Sequence, residues 1–325
     1  MTGVALLSHP RASGNHMSLP AVRALCARHA DVFHYEVEHD GQIAAALRTI
    51  ALVRPKLLVI NGDDRAVQET LSELCRGGHF GERPPPVAVL PSDPSNLIAR
   101  DLGAQGCPVA ALARMLALAR TDMRTHIISR RLISLTGGRD GDRRPVFGMF
   151  LGGGGLAETI LHCRHNIYPL GLPHRAAHAL AVLRGLAAIL VGGGRRRPTA
   201  DRPPLSVSVG GGGAISGAHP FLAVTTLEHV LRRGAGPATG APAGALQMLV
   251  IERSLGAALR ALFATVRGRI DAGSIRGVHF MRGDEIRIGG GCASVLLDGV
   301  LFEGHEDRPI LLRPSGPIPF LRLAA

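Results

Sequence analysis

Three short apolar runs punctuate the first third of the chain, at Val4–Ser8, Leu57–Asn61 and Val87–Leu90, and Val32–Val37 (VFHYEV) alternates as a further strand. Strands that are apolar almost throughout are buried on both faces, the condition of a parallel sheet covered by helices. The segments between these runs space their apolar residues three or four apart. Leu19, Val22, Ala24 and Cys26 do so in Leu19–Arg28, and Val67, Thr70, Leu71 and Leu74 in Val67–Arg76. That period lays one apolar stripe of a helix against such a sheet. Further helices are expected over Gln42–Leu52 and Val109–Arg120. The β-α alternation predicts an α/β domain with a parallel sheet and helices on both faces. Ligands of such sheets bind beyond the carboxyl ends of the strands. The turns after Ser8, Ile60 and Leu90 are therefore expected to meet in one cleft.

From His126 onward the pattern changes. Short β-type runs broken by glycine occupy His126–Leu135, Pro145–Leu151, Pro204–Val209, Phe221–Thr226, Gln247–Arg253, Val278–Met281, Glu285–Ile288, Ala293–Leu297 and Ile310–Arg313. Two helical stretches interrupt them, Arg175–Ile189 and Leu255–Val266. Gly192–Pro204 and Gly234–Gly244 read as loops by composition. The expectation is an α/β domain over residues 1–125 and a mainly antiparallel, β-rich domain over 126–325.

Composition narrows the function classes. The net charge is +12, and Lys56 is the only lysine, so the excess is arginine. Such charge suits a nucleotide phosphate, an anionic membrane surface or nucleic acid. With 3% aromatic residues and no tryptophan, base-stacking platforms are scarce, and nucleic acid is not expected as a partner. The five cysteines lack CxxC spacing and the fifteen histidines lack a ligand pattern, which argues for reduced thiols and no structural metal. No apolar run is long enough to span a bilayer, and Met1–Pro10 reads as a first strand. A cytoplasmic protein is expected, associating with membranes through charge.

Candidate chemistry concentrates in four segments. LLVINGDDRAVQETLSEL (Leu57–Leu74) reads strand, tight polar turn, helix. Glycine in such a turn lets backbone N–H groups approach a phosphate, and the helix N-terminus adds a favourable dipole. A helix-capping pair of aspartates would give the same string. PPVAVLPSDPSNLIARDLG (Pro85–Gly103) is a second strand running through Pro91 into a turn and a helix. LLSHPRASG (Leu6–Gly14) opens the chain, and LLDGVLFE (Leu296–Glu303) has the form of an Asp-Gly hairpin.

Taken in order, the four segments resemble the diacylglycerol-kinase-like lipid kinases, whose fold is shared with sphingosine kinases and NAD kinases. Gly62 and Asp64 fall on the family's GGDGT turn. Pro91, Asn96, Ala99, Arg100, Leu102 and Gly103 fall on its P-G-G-T-x-N-x-x-A-R-x-L-G segment. Pro10, Ser13 and Gly14 fall on N-P-x-S-G with one extra residue before Ser13, and Asp298 and Gly299 fall on D-G-E. The resemblance implies ATP- and Mg2+-dependent phosphoryl transfer to a diacylglycerol-like lipid hydroxyl. It implies Asp64 as the proton-handling carboxylate, with Asp298 assisting. Ser13, Asn61, Gly62, Arg65 and Asn96 would lie at the nucleotide; metal ligands are not implied.

The departures cut against turnover. Asp63, Arg65 and Ala66 replace two glycines and the threonine, and Val300 replaces the glutamate. A side chain where a left-handed conformation is required costs roughly 1–2 kcal/mol, and Asp63 sets a negative charge where phosphates would arrive. Two readings follow: a slow lipid kinase with an altered nucleotide site, or a catalytically impaired pseudokinase serving as a binding or scaffolding module.

Overall fold

Leu6, Leu7, Leu57, Leu58, Val59 and Ile60 are all 0% exposed, because the strands that carry them are covered on both faces. In a computed structural model of the chain, β1 (Val4–Ser8) pairs in parallel with β2 (Val32–Glu36) on one side and β3 (Leu57–Asn61) on the other. β3 pairs in parallel with β4 (Val87–Val89). The structure describes residues 3–12, 14–81, 83–92, 96–139, 144–154, 205–210, 214–217, 221–227, 246–252, 254, 256–257, 260–261, 275–290, 294–305 and 307–323. The expected helix 175–189 and the expected loops 192–204 and 234–244 lie outside these residues, as does most of 255–266.

The crossovers fix where the helices go. α1 (Asn15–Ala27) leads from β1 to β2, and α2 (Ile43–Val53) leads back from β2 to β3 on the far side of β1. Right-handed crossovers running in opposite directions put these helices on opposite faces of the sheet. α2 packs beside α3 (Asp64–Gly77), and α1 packs beside α5 (Pro108–Arg120). A short helix, α4 (Leu97–Asp101), follows β4.

The chain divides into two units. The first comprises Met1–Leu132, Arg144–Met149 and Ser315–Ala325; the second comprises Ile133–Arg143 and Phe150–Pro314. In the first unit the sheet order is β2-β1-β3-β4-β18-β5, with β5 at Ile127–Arg130 and β18 at Ile318–Leu321. β18 runs parallel to β4 and antiparallel to β5. The single run expected over His126–Leu135 is therefore two strands, β5 and β6 (Ile133–Thr136). They part at Arg131–Leu132, where Leu132 exchanges hydrogen bonds with Ser315: its N–H donates to Ser315 Oγ at 2.8 Å and its carbonyl accepts from Ser315 N at 2.8 Å. β7 (Val146–Gly148) lies against α3, where Ser72 Oγ accepts from Phe147 N at 2.9 Å.

The second unit is antiparallel throughout its described pairings. One sheet runs β10 (Ala214–Gly217), β9 (Leu205–Val209), β14 (Ile286–Gly289), β17 (Ile310–Pro314), β6. The other runs β13 (Val278–Gly283), β12 (Leu246–Ile251), β11 (Phe221–Thr225), β8 (Phe150–Gly154), β15 (Ser294–Leu297), β16 (Val300–Glu303). Its interior is drawn from alternate strand positions, among them Leu222, Val224, Met248, Val250, Val295 and Leu297, all 0% exposed. The α/β order followed by antiparallel β structure is the fold class expected from the pattern.

Ile60 sits in the central strand of the first unit, one residue before its functional turn. Ile60→Ala should lower the unfolding free energy by about 2–5 kcal/mol, the range for emptying a buried aliphatic site. Urea denaturation at constant m-value checks this, and a loss below about 1 kcal/mol would mean the sheet interior relaxes more than its burial implies.

Candidate functional site

β1, β3 and β4 end at the same edge of the sheet because their registers align: Ser8 pairs with Asn61, and Ile60 with Val89. The three turns that follow are bound together by a buried set of polar groups. Asn61, 0% exposed, donates from Nδ2 to Ser8 Oγ at 3.1 Å and accepts at Oδ1 from Ser92 Oγ at 2.5 Å. Its carbonyl accepts from His9 N at 2.9 Å and from Asn15 Nδ2 at 3.0 Å. Asn15 Nδ2 also donates to the His9 carbonyl at 2.8 Å. The turns after Ser8, Ile60 and Leu90 thus meet, as the motif order requires. Ser13 and the stretch 93–95 lie outside the described residues.

Gly62 follows Asn61. A Cβ built there would stand 2.6 Å from Ala66 Cβ and 3.4 Å from His9 Cδ2, so close packing, not a positive φ, demands glycine. Asp63 has φ −75° and ψ 178° and caps α3, accepting at Oδ1 from Ala66 N at 3.0 Å. The strain expected from replacing a glycine is absent, because the position is extended and any residue adopts it. Asp64 opens α3, where a carboxylate is favoured by the helix dipole. Asn96 is the cap of α4: its Oδ1 accepts from Ala99 N at 2.8 Å, and its Nδ2 donates to the Gly62 carbonyl at 3.3 Å. Asn96 therefore starts this helix, and its amide ties the third turn to the second.

Arg65 points along its own helix. Nε donates to Glu69 Oε1 at 3.0 Å and Nη2 to Asp40 Oδ2 at 2.7 Å. Burial and a hydrogen bond shared with Asp40 push the Glu69 carboxyl up to about 7, with Arg65 pulling the other way. His9 lies across the same turn, 5% exposed, with Nε2 at 3.2 Å from Thr70 Oγ1. Burial lowers its pKa to about 4 against the opposing charges of Asp40 and Asp63, so it is neutral at pH 7. Sequence inspection misses Asn15, Asp40 and Glu69 as members of this site. Only the helical offset of four between Arg65 and Glu69 announces any of their contacts.

Asp298 belongs to the second unit. It and Gly299 form the two-residue turn between β15 and β16, with φ 44° and 88°, the left-handed pair that this hairpin type requires. Its Oδ1 accepts from Phe150 N at 2.9 Å, and its own N–H donates to the Phe150 carbonyl at 2.9 Å. It is 5% exposed. The neighbouring Val300 supplies no carboxylate.

The first turn of α3 is suited to an anion, yet it already holds one: the Asp63 carboxylate occupies the Ala66 N–H. A nucleotide phosphate would have to displace it. Among the described residues no three His, Cys, Asp or Glu side chains gather as a metal-ligand group. Cys26, Cys75 and Cys107 are free thiols. Burial raises the first two to about 11 and about 12, which disqualifies them as nucleophiles.

No family model matches the sequence, and no curated protein matches it. Solved structures do. One is a candidate diacylglycerol kinase from Bacillus anthracis, 17% identical, with a TM-score of 0.62 over 99% of this chain and 96% of that one. Another, a diacylglycerol kinase from the same organism, is 15% identical with a TM-score of 0.59 over 99% and 97%. The chain has the fold of these proteins from end to end.

The two shifted groups pull stability in opposite directions. His9, with a lowered folded pKa, contributes stability present above its unfolded pKa of 6.5 and lost as pH falls towards about 4. Glu69, with a raised folded pKa, contributes stability present below 4.5 and lost as pH rises through about 7. Glu69→Gln keeps an acceptor for Arg65 and removes the titration. At pH 8 it should be more stable than the parent by about 2–3 kcal/mol, from a rise from 4.5 to about 7 at about 1.36 kcal/mol per pH unit less a discount for solvent screening, with the gap closing by pH 4.5. Thermal melts across that range check it, and a gap independent of pH would refute the assignment.

Proposed function

We propose that the chain is a lipid kinase of the diacylglycerol kinase type, transferring the γ-phosphoryl group of ATP slowly to the hydroxyl of a diacylglycerol-like lipid. The observation that carries this reading is the meeting of the turns after β1, β3 and β4 around Asn61, with Asp64 set at the head of α3, in a chain with the fold of the Bacillus anthracis proteins. Asp64 accepts the proton of the lipid hydroxyl as its oxygen attacks the γ-phosphorus and ADP leaves. The first turn of α3 receives the phosphates. Asn61 and Asn96 hold the turns in register, and Ser13 and Gly62 complete the approach. Asp298, seated in its hairpin, assists substrate positioning. Positioning and charge neutralisation account for most of the catalysis of such transfers. The +12 charge supports peripheral contact with an anionic membrane, where the lipid resides. Among the described residues no helix is long and apolar enough to cross a membrane.

One observation favours the second reading, a catalytically impaired binding module. Asp63 and Arg65 are committed elsewhere, the first to the Ala66 N–H and the second to Asp40 and Glu69. Neither is presented to a phosphate.

The two readings separate in one experiment. The native protein should bind MgATP weakly and transfer label from γ-labelled ATP to dioleoylglycerol slowly. Asp64→Asn should abolish the transfer while leaving ATP binding nearly intact. The combined change Asp63→Gly, Arg65→Gly, Ala66→Thr, Val300→Glu should raise binding and transfer together, each restored hydrogen bond to a charged group contributing on the order of 1–3 kcal/mol. Removing the Asp63 cap itself costs only a few tenths of a kcal/mol when glycine replaces it. Brisk native transfer that survives Asp64→Asn would overturn the assignment. ATP binding without transfer in every variant would select the binding module.

A further inference from the structure

At the opposite end of the same strands the surface chemistry reverses. Arg54, Pro55 and Lys56 lead directly into β3, and Pro85 stands just before β4. Arg54, Pro55 and Pro85, with the end of α2 and the segment after α3, line an open groove of about 860 Å3, whose walls include Arg48, Leu52, Phe80 and Arg83. Three features set this face apart.

Its cations are uncommitted. Arg48, Arg54 and Arg83 are exposed, and none pairs with an acidic side chain among the described residues. Arg48 donates only to the Ala44 carbonyl of its own helix, at 3.3 Å. Arg23, Arg65, Arg120 and Arg313, by contrast, each hold a carboxylate within 3.0 Å. Lys56, the only lysine of the chain, is exposed on the same edge.

Its apolar content is also unusual. Leu52 is 83% exposed, a figure matched by Met17 among the large apolar residues described. It sits on the groove between Arg48 and Arg54, with Ala51 and Phe80 as further apolar lining. An isolated exposed leucine is ordinary. A leucine sharing a groove with arginines that hold no carboxylate among the described residues has the make-up of an interfacial contact, cations at the level of the headgroups and an apolar tip beneath them.

The third feature is placement. The groove lies at the amino ends of β3 and β4, whereas the candidate phosphate turns lie at the carboxyl ends. A partner on this face leaves those turns uncovered.

We infer that this face docks on an anionic bilayer, with a lipid phosphate seated between Arg48, Arg54 and Arg83 and Leu52 entering the interface. This contact tethers the chain through the amino ends of β3 and β4, apart from the α3 turn at their carboxyl ends, and it is independent of whether the chain transfers phosphate. Charge complementarity selects a bilayer over a neutral partner, and the exposed Leu52 selects it over a purely polyanionic one.

The test is flotation of the full chain with vesicles of phosphatidylcholine alone and of phosphatidylcholine mixed with phosphatidylglycerol. Binding should require the anionic lipid and fall with salt. The triple variant Arg48→Gln, Arg54→Gln, Arg83→Gln should lose on the order of 100-fold in partition coefficient, from about 1 kcal/mol per basic residue at such a surface and 1.4 kcal/mol per tenfold. Leu52→Ala should weaken binding several-fold with an unchanged salt slope. A control removing three exposed arginines elsewhere, Arg28→Gln, Arg131→Gln, Arg276→Gln, separates this face from the net charge. If the control loses as much as the groove variant, if neutral vesicles bind equally well, or if the groove variant keeps its binding while its circular dichroism is unchanged, the proposal fails. It fails equally if Leu52→Ala has no effect while the groove variant loses heparin binding in parallel, because the face is then a general polyanion site. Failure of lipid phosphorylation with vesicle binding intact counts against the kinase reading alone.

Discussion

A buried asparagine carries an acceptor oxygen and a donor nitrogen on its side-chain amide, and each end of that amide left without a partner costs about 1–3 kcal/mol. Asn61 leaves neither end empty. Its amide joins Ser8 to Ser92, and its carbonyl gathers His9 and Asn15. Because Ser8, Asn61 and Ser92 sit at or beyond the ends of three different strands, one side chain fixes the mutual positions of three turns. The geometry behind it is the parallel register, which brings Ser8 and Asn61 opposite each other. A slip of one residue would turn the amide to the other face of the sheet and dismantle the site. Gly62 and Asn96 then follow: the first packs flat against Ala66, and the second reaches back to the Gly62 carbonyl.

Within that frame the departures from the phosphate-binding turn become intelligible. A glycine replaced by aspartate is ruinous only where the backbone is left-handed, and Asp63 is extended. The replacement is absorbed by giving the new carboxylate the job of a helix cap, which typically stabilises by about 1 kcal/mol. Arg65 is absorbed similarly, by two acidic neighbours. The turn is therefore locally satisfied as it stands. An incoming phosphate competes with Asp63 for the same N–H group, and the competition lowers affinity without distorting the backbone.

How much of this was legible in the sequence depended on the range of the interaction. The strands at Val4–Ser8 and Leu57–Asn61 were, because continuous apolar runs have few other uses. α2, α3 and α5 were as well, within a few residues, because their periodicity is local. The Asp298–Gly299 turn follows from its dipeptide. What escaped is non-local. Nothing in Ile318–Leu321 announces that β18 crosses back to lie between β4 and β5 in the first unit. The break between β5 and β6 depends on Ser315, 183 residues away in sequence. The partnership of Arg65 with Asp40 spans a helix and a strand, and Asn15 is unremarkable until the fold brings it beneath His9 and Asn61. The resemblance places Asn96 at the nucleotide, while its cap at α4, which accepts a backbone N–H three residues on, is a local contact that the motif does not announce.

The first unit carries a charge polarity along its strands, and helix direction explains how the fold tolerates it. α2 and α3 run antiparallel to the strands, so their N-termini lie at the edge holding Asp40, Asp63, Asp64 and Glu69. Their C-termini lie at the edge holding Arg48, Arg54 and Lys56. Acids at helix N-termini and bases at C-termini each gain roughly 0.3–1 kcal/mol from the helix dipole, so segregating the charges costs the fold little. The two edges are separated by a strand of five residues, about 17 Å at 3.3 Å per residue. That exceeds the screening length of about 8 Å at physiological ionic strength. Each edge therefore presents its own field to what approaches it. On the proposed reading the carboxylates of one edge, partly offset by Arg65, would oppose a nucleotide, and the basic edge would attract an anionic surface. Salt weakens both effects, so it should ease nucleotide binding at one end of the strands while loosening membrane contact at the other.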